Sequence, residues 1–152
     1  MKKITIATLI LGCFVCTAKA QILTPVKWSY GEKMLNKTDA VIFLKATIDD
    51  GWHLYSQTVP DGGPTKTTIS FNPAKNYTLV GTTQEPKPIT RIEKVFDGMK
   101  VSFFENSVVF QQKIKLKSAA PVTVKGSIEF MTCDDHQCIP AATVPFSVIV
   151  EY

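Results

Sequence analysis

Three observations predict an all-β fold, an immunoglobulin-like β-sandwich of two packed sheets. A series of short stretches rich in β-branched and aromatic residues runs from Val26 to Tyr152. Clusters of Gly, Pro, Asn and Asp punctuate them at regular intervals. No window sustains a helical period of apolar residues beyond about two turns. Many short strands with turn signals between them are the pattern of antiparallel sheets packed face to face.

The first twenty residues, "MKKITIATLILGCFVCTAKA", stand apart from that pattern. Lys2 and Lys3 precede an apolar run, Ile4 to Cys16, that is too short to span a bilayer comfortably, and Ala18-Lys19-Ala20 forms a small-x-small cleavage site. They read as a secretory signal cleaved after Ala20. A second reading takes "ILGC" as a lipobox, with Cys13 acylated and the protein tethered to a membrane. Residues 21–152 are then expected to form a single domain, long enough to bury a real core.

The strands follow in order. "VKWSY" and "AVIFLKATI" lead to the turn Asp49-Asp50-Gly51, and "WHLYSQ" leads to the run Pro60-Asp61-Gly62-Gly63-Pro64, a long loop rather than a boundary. "TKTTISFN" stops at Asn72-Pro73, and "YTLVGTT" stops before Pro86 and Pro88. After Asp97-Gly98 come "KVSFF", "SVVFQQKIKL", "VTVKGSIEFMT" and, past Pro121 and the cysteines, "ATVPFSVIVEY". There is no internal repeat, low-complexity tract or interdomain linker. The chain carries 17 Lys and Arg, three of them in the leader, against 13 Asp and Glu. So even a balance argues against nucleic acid or an anionic membrane surface as partner.

Cys13 and Cys16 leave with the signal, so Cys133 and Cys138 are the cysteines that remain. Export places them where a disulfide is allowed. In "VTVKGSIEFMTC" the even positions Val122, Val124, Ile128 and Phe130 carry the core, which puts Cys133 on the outward face unless a bulge intervenes. The pair then stands near the surface, at the base of a hairpin loop of Asp134, Asp135, His136 and Gln137. Pro140 and Pro145 mark the return strand as an edge strand or a bulged one.

Such a pair allows three readings. As a structural staple it closes a loop of only six residues, which by chain entropy stabilises by roughly 2 kcal/mol. As a metal site, Cys133, His136 and Cys138 with Asp134 or Asp135 crowd their ligands into one short loop, and His53 is the only other histidine. As a redox pair, one thiol attacks a partner's disulfide and the other resolves the mixed disulfide. Asp134 and Asp135 disfavour a thiolate and a protonated His136 favours one, so the local charges allow exchange inside a docked complex without demanding it.

"GWHLYSQ", "GGP", "FDGM…FFE…VVFQQKI" and "MTCDDHQCIPA", in that order, resemble the N-terminal periplasmic domain of the DsbD thiol:disulfide interchange family, from about Val26 to Tyr152. The cysteine hairpin with its trailing "IPA" is the most specific part. The resemblance implies an immunoglobulin-like sandwich with a redox-active Cys133–Cys138 pair and no cofactor. Cys138 would form the mixed disulfide with the partner, and Cys133 would resolve it. It also implies a cap loop at "VFDG", with Phe96 as an aromatic lid over the cysteines and Asp97 and Gly98 its neighbours. His53 and Tyr55 would lie beside the pair, together with Asp134, Asp135 and His136.

The partners implied are a membrane-embedded thiol reductase as donor and periplasmic thioredoxin-like proteins, disulfide isomerases and cytochrome c maturation factors, as acceptors. This sequence has four residues between its cysteines where well-known members have five, and a histidine at position 53 where a tyrosine is expected. It also lacks the family's membrane portion and C-terminal thioredoxin-like domain, so a stand-alone version is expected. The other functional class the residues allow is a secreted β-sandwich binding or adhesion module with an inert hairpin disulfide.

Overall fold

The computed structural model describes residues 23–118 and 121–151. The predicted leader, with Cys13, Cys16 and the cleavage site, lies outside them. Ten strands form in chain order: β1 (Val26–Met34), β2 (Asp39–Ile48), β3 (His53–Tyr55), β4 (Thr68–Phe71), β5 (Tyr77–Gln84), β6 (Ile89–Glu93), β7 (Met99–Phe104), β8 (Ser107–Leu116), β9 (Val122–Cys133) and β10 (Cys138–Val150). A single 3-10 turn, Lys94–Phe96, joins β6 to β7.

Two antiparallel sheets result. One runs β1-β2-β8-β5 and the other β10-β9-β3-β7-β6, with β4 also paired to β9. β3 and β4 share one edge of β9: His53 and Leu54 sit opposite Cys133 and Thr132, and Thr68–Phe71 sit opposite Glu129–Gly126. The fold is the predicted immunoglobulin-like sandwich.

Alternation makes the interior. Ala40, Ile42, Leu44, Ala46 and Ile48 of β2 and Val108, Phe110, Ile114 and Leu116 of β8 meet Val122, Val124, Ile128 and Phe130 of β9 in one buried cluster. Gln112 breaks the apolar run of β8 and is nonetheless buried. Its amide donates to the carbonyls of Val80 and Lys113 and accepts from the Thr83 hydroxyl, which satisfies it inside the sheet. Those bonds sit where β5 bulges away from β8 between Val80 and Gln84, around Gly81 at φ 70°. Gly126 is required by space: a Cβ there would overlap the Ser70 carbonyl oxygen and the Phe146 ring.

Every predicted strand coincides with an observed one. β10 is an edge strand and its register with β9 shifts between Ile139 and Ala142, so it fulfils both readings of Pro140 and Pro145. The sequence reading passed over β6, taking Pro86 and Pro88 as the end of β-structure before Asp97.

Candidate functional site

The site is built on the outer face of the second sheet. β3 is three residues long and divides its side chains cleanly: Leu54 points into the main core, while His53 and Tyr55 point to the other side. There Tyr55, Val101, Phe103 and Cys133 form a second buried cluster, with Val59, Phe96, Met99 and Met131 packed against it. Alternation placed Cys133 on the outward face, and it is there. Outward is not solvent-facing at this end of the sheet, however, and Cys133 is only 2 % exposed. The expectation that both cysteines stand near the surface is corrected for Cys133 and holds for Cys138, which is exposed.

The two sulfurs are joined in a disulfide, 2.02 Å apart. Cys133 closes β9 and Cys138 opens β10, directly opposite each other. The four residues between them fold around Asp134. Its backbone N–H donates to the Gln137 carbonyl at 2.9 Å, and its carboxylate accepts from the backbone N–H groups of His136 and Gln137, each at 2.7 Å. This Asx-type turn explains why an aspartate follows the first cysteine. The His136 N–H bond above all holds the Asp134 carboxyl below the usual carboxylate range. Asp134 therefore organises the loop, while Asp135, His136 and Gln137 stand exposed. Among the described residues, no group of three or more His, Cys, Asp and Glu side chains is placed to hold a metal ion.

The predicted cap is the tip of the β6–β7 hairpin. After the 3-10 turn the backbone passes through the left-handed region at Asp97 (φ 52°) and Gly98 (φ 75°), and the Gly98 N–H donates to the Glu93 carbonyl. The reversal turns Phe96 back onto the sheet, where its ring meets Tyr55 edge-on at 6.1 Å between centroids. The Pro60–Pro64 loop braces this region from behind, since Gly63 packs against Met99. Phe96 thus belongs to the cluster that covers Cys133, whereas Cys138 stays open.

A cavity of about 180 Å³ lies beside the disulfide, lined by His53, Tyr55, Glu93, both cysteines and the hairpin loop. His53 is the direct cross-strand neighbour of Cys133, and its ring packs on Phe103 at 4.8 Å and edge-on to Tyr55 at 5.7 Å. Burial pushes its imidazole below its ordinary pKa; the Glu93, Glu105 and Asp135 carboxylates pull it up and Arg91 pushes it down. Burial, and then the charge of Glu93, raise the Tyr55 phenol to about 12.

Two residues of the site escaped the sequence reading because β6 did. Arg91 lies over the Phe103 ring at 4.8 Å, donates to Glu105 at 3.2 Å, and stands 3.9 Å from both Glu93 and Asp135. It links the cap hairpin to the cysteine loop. Glu93 turns a buried carboxylate oxygen toward this site with no hydrogen-bond partner among the described residues. The signal available was "ITRIE" immediately before the cap segment.

The arrangement is a disulfide between one exposed cysteine and one covered cysteine, beside an imidazole and a carboxylate. Residues 19–148 match the family described as thiol:disulfide interchange protein DsbD, N-terminal. The chain belongs to the DsbD N-terminal family. It is a thiol:disulfide interchange domain, as the resemblance implied. Among solved structures, the DsbD N-terminal domain of Neisseria meningitidis in its reduced form is similar over 86 % of this chain and 92 % of that one, at 15 % identity and a TM-score of 0.54. The same domain in its complex with the PilB N-terminal domain matches over 84 % and 87 %, at 14 % identity and a TM-score of 0.54. The N-terminal periplasmic domain of ScsB from Proteus mirabilis matches over 83 % of this chain and 45 % of that one, at 19 % identity and a TM-score of 0.53. At these identities the likeness shows the sandwich fold. No curated protein matches the sequence.

Proposed function

We propose that the domain works in the periplasm after export and relays reducing equivalents through Cys133 and Cys138. A membrane-embedded thiol reductase supplies them and thioredoxin-like proteins receive them. The observation that carries this reading is the asymmetry of the disulfide: Cys138 is exposed at the head of an edge strand, and Cys133 is buried beneath Tyr55 and Phe96. An incoming thiolate or partner disulfide meets Cys138, and Cys133 waits to resolve the mixed disulfide. Phe96, on the turn through Asp97 and Gly98, acts as the lid that a docking partner displaces. The Neisseria domain described in complex with the PilB N-terminal domain supports a protein as the partner.

The test is a redox titration of the pair in glutathione or dithiothreitol buffers. Structural disulfides of exported proteins lie below about −300 mV, and exchange proteins lie above. A reversible potential well above that line, with the fold intact in both states, is expected. A strongly negative value would make the bridge a staple and favour the β-sandwich binding module instead.

A further inference from the structure

Cys133 is the thiol that must lose its proton in the resolving step, and it is the buried member of the pair. Burial disfavours a bare thiolate, so an internal acceptor is needed. The register places a titratable side chain beside Cys133. His53 on β3 is directly opposite Cys133 on β9, and side chains so paired on one face keep their Cβ atoms about 4.5–5.5 Å apart. His53 is itself 4 % exposed, lines the cavity beside the disulfide, and makes ring contacts but no hydrogen bond among the described residues. Its nitrogens are uncommitted in a site where a proton has to move.

We propose that His53 is the proton acceptor for Cys133 in thiol–disulfide exchange, and that Glu93 stabilises the imidazolium so formed. This rests on the relay reading above. When the reduced domain has attacked a partner disulfide, Cys138 is bonded to one partner sulfur and the other has left as a thiol. The Cys133 S–H proton passes to the imidazole. The Cys133 sulfur then attacks the Cys138 sulfur, forming the internal disulfide and breaking the intermolecular one. The second partner sulfur leaves with the electron pair and takes the proton from the imidazolium. The partner disulfide gains two electrons and two protons, and the cysteine pair loses the same.

The groups around His53 suit this role. Burial keeps the imidazole neutral near pH 7, ready to accept. Glu93 on β6, Glu105 after β7 and Asp135 in the hairpin favour its protonated form, and Arg91 on β6 opposes it. Glu93 has a buried oxygen in this site that Arg91 approaches at 3.9 Å and that accepts no hydrogen bond among the described residues. The Tyr55 phenol, at about 12, does not accept a proton at neutral pH. Glu93 is a poorer candidate than His53 for the acceptor itself, because β3 and β7 stand between β6 and β9 in the sheet.

The resolving step can be isolated by stopped flow with stoichiometric Ellman's reagent, 5,5′-dithiobis(2-nitrobenzoate). The reduced protein releases one thionitrobenzoate as Cys138 reacts, at a rate proportional to reagent. It releases the second as Cys133 displaces it, at a rate independent of reagent. In the unsubstituted protein the second phase should rise through the imidazole titration below pH 6.5 and then level off. In His53→Phe, which keeps an aromatic ring against Phe103 and Tyr55, and in His53→Gln, it should fall at least tenfold at pH 7 and climb about tenfold per pH unit, with the first phase unchanged. Glu93→Gln should move the rise to lower pH. Unchanged second-phase profiles in both His53 variants would overturn the proposal, as would a parallel loss of both phases with melting temperature. Levelling lost in Glu93→Gln but kept in His53→Phe would make Glu93 the acceptor. If both releases scale with reagent, the pair does not cycle, and the relay reading fails instead.

Discussion

Reduction of the disulfide should loosen the domain by a small, calculable amount and leave it folded. The bridge closes a loop of six residues at a sequence separation of 5. By chain entropy that restricts the unfolded state by about 7 cal/mol/K, or roughly 2 kcal/mol at 25 °C. The native state depends little on the bond. β9 and β10 remain in register from Phe130 and Ala142 to Val122 and Val150, and β9 is held on its other edge by β3 and β4. For a domain of this size roughly 2 kcal/mol corresponds to a fall in melting temperature of about 5–10 °C. The thermodynamic cycle then makes the folded pair only about 45 mV harder to reduce than the same cysteines in the unfolded chain. Thermal unfolding with and without dithiothreitol, followed by near-ultraviolet circular dichroism, measures the shift. Loss of the folded signal at 25 °C on reduction, or a fall beyond about 15 °C, would refute this reasoning and make the bridge a structural staple.

Phe96→Ala removes the edge-on contact with Tyr55, worth about 0.5–1.5 kcal/mol, so dithiothreitol should reduce the disulfide roughly two- to twelvefold faster where the cap must lift for Cys133 to leave; an unchanged rate would make Phe96 a packing residue only. Gly126→Ala should cost about 3 kcal/mol in urea unfolding, at the upper end for overpacking, because its Cβ meets the Ser70 carbonyl and the Phe146 ring. Gly31→Ala, with nothing within 4 Å of the added methyl, should be neutral or slightly stabilising, and equal effects at the two sites would sink the steric account. Because His53 titrates lower folded than unfolded, the unfolded chain binds more protons between those values. Stability should therefore be full above about pH 6.5 and decline as pH falls through the folded value, a decline that His53→Phe abolishes.

Strand alternation was legible wherever one face of a sheet meets the main core, which is why β2, β8 and β9 could be read with their inward residues. It was misleading at the end of β9. Period-two reasoning divides a strand into core and solvent faces, whereas Cys133, Met131, His53 and Tyr55 lie on an outer face with its own cover. That cover comes from β6, the cap and the Val59–Gly63 loop, all distant in sequence from the cysteines. β6 itself was invisible because its residues do not alternate: Ile89 and Ile92 are both exposed, and Arg91 is held by a ring and carboxylates rather than by burial. Glu93 and Arg91 belong to the site through tertiary placement, which no local pattern encodes.

The asymmetry of the pair follows from where β9 and β10 sit in the sheet. β9 is flanked on both edges, so its last residue is enclosed by β3 and by the cluster above it. β10 is flanked on one edge only, so its first residue is open. An open edge is also a template for unwanted strand pairing. Here Pro140 follows Cys138 by two residues, lacks an N–H to offer, and stands inside the register shift that bends the strand. The edge is thus closed to strand addition within two residues of Cys138, the cysteine that the proposed relay needs accessible. Neither sulfur belongs to the cluster between the sheets, so opening the bond leaves the sandwich interior untouched. A redox pair placed within that interior would have to repack it at every turnover. In the proposed relay, exchange on the outer face requires the displacement of the cap and the proton transfer at Cys133, with no repacking between the sheets.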